Sequence, residues 1–203
     1  MLNDTNNKIR FTSYNFFLEK GYEATNIRDI CKMVNIKPSS LYFYYKSKQD
    51  LFFSIYDEIW DKKINYLKNA IELNANKSLN LKFKDLYIKT LEYHINNILD
   101  EKFLLRYHFF PTEEIITQIT DRYKYWTNEE NKIVKNLINE CIEAGILDNE
   151  RNVNEYVQDY KKLVTNQIIN MLMYSVKISL EDQVMIWDEF WSHYISYEHK
   201  PYF

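Results

Sequence analysis

Helix-breaking residues are so scarce in this chain that they dictate what it can fold into: 203 residues include only two glycines and three prolines. A helix interior tolerates neither well, at roughly 1 kcal/mol for Gly and roughly 3 kcal/mol for Pro relative to Ala. All five stand where helices would end or begin. Gly21 follows Ile9, Ser13, Phe16 and Phe17 at helical spacing and suits the position just past a C-terminus. Gly145 stands likewise after Ile133, Leu137, Ile138, Cys141 and Ile142. Pro38 fits the first turn of a new helix. Pro111 separates the aromatic run 107–110 from Glu113 and Glu114, and Pro201 lies in the tail.

The stretches between these breakers predict helices near 8–20, 26–34, 38–45, 47–74, 79–99, 101–109, 112–145, 153–177 and 181–197. Ser47 with Asp50, Asn152 with Glu155, and Ser179 with Asp182 resemble capping boxes at three of the starts. No long run alternates with strand period, and no repeat or low-complexity linker interrupts the chain. The expected fold class is all-α, with about nine helices.

Hydrophobic residues at 46% and charged ones at 27% are the balance of a globular protein with a real core. Charge is unevenly placed. Residues 1–50 hold eight Lys and Arg against five Asp and Glu, whereas 51–203 hold 18 against 24. A basic head on an acidic body suits a protein whose head alone approaches a polyanion; the excess is small enough that chance is the alternative. Cys31 and Cys141, 110 positions apart, form neither a disulfide framework nor a metal-ligand spacing and read as buried thiols. The first residues lack a signal-peptide pattern, and no apolar run approaches the roughly 18 residues of a membrane span. The expectation is a cytoplasmic protein without membrane, metal or cofactor. Four histidines, two distant cysteines and two glycines supply no converging nucleophile, base or phosphate loop, so no catalytic residues are expected.

Three short helices fit into the first 45 residues. Thr25 reads as the N-cap of the second, with its first-turn amides a ready phosphate site. Ile27, Ile30 and Val34 give that helix one apolar face, closed by Ile36 and Leu41. The link Asn35-Ile36-Lys37 is only three residues long, and Asn tolerates the left-handed backbone such a turn often needs. A short helix, tight turn and second short helix within a three-helix unit is how a recognition helix reaches a major groove.

These residues carry a resemblance. The run Ile9, Phe17, Glu19-Lys20-Gly21-Tyr22, Thr25, Ile27-Arg28-Asp29-Ile30, Val34, Ile36, Leu41-Tyr42, Tyr44-Tyr45-Lys46-Ser47-Lys48 and Asp50-Leu51 resembles the TetR family of bacterial repressors. It departs from the family at Asn35, where a turn Gly is common, at Asn26, and at Pro38 and Ser39. The resemblance implies a helix-turn-helix DNA-binding domain over 1–46, and over 47–203 a helical domain for ligand binding and dimerisation, joined through the long helix from Ser47. It implies that Thr25, Tyr42 and Lys46 hold phosphates, that Arg28, Lys37, Ser39, Ser40 and Tyr44 face the groove or its edges, and that Lys48 lies close to the backbone. For Tyr42 the alternative is a core position, and for Lys46 and Lys48 ordinary solvation. Between Pro38 and Tyr45 there is no Arg, Lys, Asn or Gln, the side chains that read bases in pairs of hydrogen bonds. Readout would then lean on hydroxyls, thymine methyls and DNA shape, on an A·T-rich site.

In the body, Phe103, Tyr107, His108, Phe110, Tyr123 and Trp126 crowd around Pro111, with Tyr87 and His94 on the preceding helix. Aromatic walls beside a helix break suit a pocket for a flat or hydrophobic effector; the alternative is that the same rings fill a core. Tyr160, Leu163, Gln167 and Met171 on one helix, with Trp187, Phe190, Trp191 and Tyr194 on the next, are too numerous for a one-sided stripe and suit a homodimer interface. The expected function is a repressor released from a near-palindromic operator in double-stranded DNA by a small molecule. The competing expectation is a helical ligand-binding or scaffolding dimer that does not bind DNA.

Overall fold

The computed structural model describes residues 2–174 and 178–194; the expected helix ends at 175–177 and 195–197 lie outside them, as do His199 and Pro201. The described residues form nine helices: α1 (Leu2–Lys20), α2 (Ile27–Val34), α3 (Pro38–Tyr44), α4 (Lys48–Leu73), α5 (Leu79–Asn96), α6 (Ile98–Phe109), α7 (Ile116–Glu143), α8 (Val153–Tyr174) and α9 (Leu180–Ser192). The breakers act as expected. Gly21 takes φ +85° and donates its amide to the Phe17 carbonyl, and Gly145 takes φ +73°. Pro38 opens α3. Several boundaries move: α1 begins at Leu2 rather than 8, α5 ends at Asn96 rather than 99, and α6 begins at Ile98 rather than 101. Helix α7 begins at Ile116 rather than 112, because the amides of Ile115 and Ile116 first close a turn on the Thr112 carbonyl.

The caps resolve in three ways. Ser179 and Asp182 form a reciprocal capping box. Ser47 Oγ accepts from the Asp50 amide, but the Asp50 carboxylate reaches back to the amide of Lys46. Asn152 accepts from the Asn154 amide with no box, since Glu155 is drawn to Arg151.

Residues 1–62 and 99–126 make one compact unit, and 63–98 with 127–203 make a second. The first is built around Phe52, which is fully buried. It meets Phe17 and Tyr22 edge-on at ring-centroid distances of 5.2 Å each, Tyr107 at 4.6 Å, and Phe103 in a stack at 5.6 Å. Such ring pairs add about 0.5–1.5 kcal/mol each beyond the area they bury. The second unit is built around Trp187, fully buried against Phe83 and Tyr87 at 5.2 Å each and Trp191 at 5.5 Å. Tyr160 joins this core. The single Thr90 hydroxyl proton goes to the Leu86 carbonyl, so the Tyr160 hydroxyl donates to Thr90 Oγ1 at 3.1 Å. Among the described residues no helix is long and apolar enough to cross a membrane.

Candidate nucleic-acid interface and effector cavity

The head is assembled from α1, α2 and α3. Ile27, Ile30 and Cys31 lie at i, i+3 and i+4 and turn one face of α2 inward. Burial raises the Cys31 thiol above its usual range. Asn35 ends α2 at φ 58°, the only non-glycine with positive φ among the described residues. Its amide returns to Cys31 and Lys32, and the Ile36 amide follows to Cys31, so two carbonyls of the last turn are satisfied. Leu41 is buried and anchors α3, which leaves the other side of that short helix in solvent.

Thr25 is not the cap of α2. Asn26 is, its side-chain oxygen accepting from the Arg28 amide at 2.9 Å. Thr25 is 2% exposed, and its hydroxyl donates to the Gly21 carbonyl at 2.7 Å. A methyl on its β-carbon makes Thr the better buried residue, and the adjacent Asn takes the exposed cap. Arg28, Lys37, Ser39, Ser40, Tyr42 and Lys46 are all exposed, on α2, the turn, α3 and the segment after it. Tyr44 is half-buried, meeting Phe43 edge-on at 5.3 Å. Lys48 is also half-buried: its ammonium donates to the Tyr22 carbonyl at 3.1 Å and lies 4.2 Å above the Tyr22 ring. The Tyr22 hydroxyl donates in turn to Glu114 at 2.6 Å, and burial together with that carboxylate raises the Tyr22 pKa.

Phe43 was not among the expected site residues, yet it is 75% exposed in the middle of α3. The signal for it was available: with Leu41 and Tyr45 turned inward, 42 and 43 must face out. The ring stands in water on the same outer side of α3 as Ser39, Ser40 and Tyr42.

The eight expected effector residues divide between the units, six in the first and Tyr87 and His94 in the second. Phe103 and Tyr107 are 0% and 1% exposed in the Phe52 core, and the Tyr107 hydroxyl is spent on the Phe17 carbonyl at 2.8 Å. Trp126 stacks on Trp60 and donates to Asp57 at 2.9 Å. His108 stacks on Tyr123 at 4.0 Å, and burial lowers its pKa. Phe110 points into solvent, 79% exposed, and Tyr87 is fully buried on Trp187. Of the eight, His94 lines a cavity. That cavity, about 70 Å³ within the second unit, is lined by Lys63, Thr90, His94, Glu130, Asn131 and Tyr160 among aliphatic side chains. It is far more polar than the aromatic pocket expected.

The expected pairing residues also separate. Tyr160, Gln167, Trp187 and Trp191 are buried within the chain itself, facing its own core rather than a partner. Leu163, Met171, Phe190 and Tyr194 are half-buried. The outward apolar surface near the α8–α9 connection is carried by Met173, Tyr174, Leu180 and Met185, each more than 60% exposed.

Two short helices meeting across a left-handed Asn, within a three-helix head, define a helix-turn-helix protein. Residues 12–55 match the family model described as bacterial regulatory proteins, tetR family. Over these residues the chain is similar to the TetR family. Over 100 residues it is 37% identical to the biofilm operon icaADBC HTH-type negative transcriptional regulator IcaR of Staphylococcus aureus, covering 49% of this chain and 50% of that one. The match thus spans about half the length of that relative. With the HTH-type transcriptional regulator QacR of Staphylococcus aureus it shares 22% identity over 90% of this chain and 92% of QacR. Among solved structures, superantigen PfiT superposes with a TM-score of 0.75 at 15% identity, covering 95% of this chain and 97% of that one. A TetR-family regulator structure from Syntrophomonas wolfei superposes with a TM-score of 0.72 at 18% identity, covering 94% of each.

Proposed function

We propose that this chain is a ligand-responsive transcriptional repressor that binds operator DNA as a homodimer. The observation that carries the reading is the outer face of the head: Arg28, Lys37, Ser39, Ser40, Tyr42 and Lys46 all stand in solvent on and around a helix-turn-helix. IcaR's role as a negative regulator supports repression, because the identity to IcaR is high over a stretch of about half this chain. Functionally the head is 1–46, and 47–203 forms the sensing and pairing body.

Tyr42 and Lys46 hold phosphates, while Arg28, Lys37, Ser39, Ser40 and Tyr44 face the groove or its edges. Thr25 supports the site from within by fixing the loop before α2. Lys48 stays close to the backbone through its hold on Tyr22. A second copy pairs through the outward faces of α8 and α9, placing two recognition helices on successive major grooves of a near-palindromic site. An effector that binds the DNA-incompetent state about 100-fold better supplies about 2.7 kcal/mol of coupling, enough to release the operator.

The test is selection of bound fragments from the source genome, followed by footprinting. A near-palindromic protected site beside a promoter is the expected result. Failure of the intact dimer to retard any duplex would establish the alternative, a ligand-binding dimer without DNA.

A further inference from the structure

The cavity of the second unit combines aliphatic walls with an unbalanced set of charges. Leu67, Leu86 and Val134 supply apolar surface. Lys63 and Glu130 line it as an ion pair, Nζ to Oε1 2.9 Å, with only 7% and 19% of their side chains exposed. Lys161 lines it as well, half-buried, and among the described residues no carboxylate lies within ion-pair distance of it. Among its lysines and carboxylates the lining therefore numbers two Lys against one Glu, with His94 beside them. Asn131 adds an amide whose Oδ1 is buried with no hydrogen-bond partner among the described residues.

We propose that this cavity binds a small organic monocarboxylate with an apolar body. A single negative charge brings the lining to neutrality without breaking the buried Lys63–Glu130 pair, whose separation would leave a charge stranded out of water. A cation would add a second uncompensated positive charge. A neutral compound would leave Lys161 unmatched, and a dianion would overshoot the single surplus charge. The aliphatic wall takes the hydrocarbon part, as apolar pockets with few polar anchors do. This inference names the effector class of the repressor reading above and rests on that reading only for its regulatory consequence.

Titration calorimetry on the full-length protein tests it, with benzoate and hexanoate as probes, benzamide and hexanamide as neutral counterparts, and benzamidine as the cation. Both acids bind saturably, one per chain, at least tenfold tighter than their amides, and benzamidine does not bind. Lys161→Gln, at a half-exposed position that leaves the circular dichroism spectrum unchanged, weakens both acids at least tenfold and leaves the amides as they were. Acids and amides binding alike, tighter binding of benzamidine, acid affinity indifferent to Lys161→Gln, or no saturable binding of either acid would each overturn the assignment. Operator retardation in the presence of the same compounds separates the two readings. Acids that bind without releasing DNA leave the cavity assignment standing and remove the effector role; release by benzamidine alone does the reverse.

Discussion

Arg106 donates from Nη1 to the carbonyl of Leu18 at 2.9 Å, so a side chain of α6 caps the last turn of α1 from 88 residues further along the chain. One residue on, Tyr107 donates to the Phe17 carbonyl. The Leu18 carbonyl gains a side-chain donor, the Phe17 carbonyl a second one beside the Gly21 amide, and the last turn of α1 is thereby tied to a second helix of the same unit. The guanidinium passes so close to Gly21 that a β-carbon there would lie 2.6 Å from Arg106 Nη2.

Gly21→Ala therefore has two costs: the left-handed backbone, about 1–2 kcal/mol, and a displaced guanidinium with its hydrogen bond, about 1 kcal/mol more. Gly145→Ala carries only the first, since nothing stands within 4 Å of its β-carbon. Urea unfolding of the two variants should place Gly21→Ala lower, and combining each with Arg106→Ala should shrink the difference. Equal losses in both single variants would show that Arg106 yields freely.

The proposed pairing surface is separated from the core by a second comparison. Met173→Glu with Met185→Glu places charge on exposed apolar positions, so sedimentation should report a monomer with its helical signal intact. Trp187→Ala should instead cost the subunit roughly 3–5 kcal/mol, the usual loss for a buried aromatic. A double Glu variant that remains dimeric would move the interface elsewhere.

Phe43→Ala should leave stability within about 0.5 kcal/mol, as substitutions outside the packing do, while altering which bases a selected operator prefers. Lys46→Ala should weaken all duplexes alike. Its salt dependence, plotted as log affinity against log salt, should flatten by about 0.9 for each phosphate that is no longer neutralised, summed over both heads. Retention of the parental slope would place Lys46 away from the DNA.

Alkaline pH should unfold the protein cooperatively. Burial pushes Tyr56 and Tyr87 up to about 12, and burial followed by the nearby Glu140 does the same for the Cys141 thiol. Because these folded-state values lie above the unfolded ones, their contribution is complete below about pH 9–10 and is lost as pH rises toward 12. His108 has the opposite sign: burial lowers it, so its contribution is present above its ordinary value and disappears on acidification through the folded one. Tyrosinate absorbance and helical dichroism should change together on the alkaline side. Tyrosines that ionise well before helix is lost would contradict this burial.

Helix order and most boundaries were legible because Gly21, Gly145 and Pro38 punctuate a chain that otherwise offers few breaks. The head was legible because its spacing is fixed by a tight turn. Adjacent candidates for one role were harder: Thr25 and Asn26 both suit an N-cap, and only packing shows that Thr25 is needed inside. In α8 and α9 apolar residues occupy more than one face, so helical period alone does not say that Trp187 and Trp191 turn inward while Met173 and Met185 turn out. Nor does clustering along the sequence distinguish rings that line a space from rings that fill one, as Phe103 and Tyr107 do. Lys63 and Glu130 escaped notice for the converse reason. Charges 67 positions apart read as solvated until folding pairs them.

The exposure of α3 has a bearing on how such a head changes over generations. Ser39, Ser40, Tyr42 and Phe43 stand outside the packing that Leu41 and Tyr45 complete. Replacing them leaves the fold nearly as stable as before, so inheritance can vary that face freely while the scaffold is held by a separate set of positions.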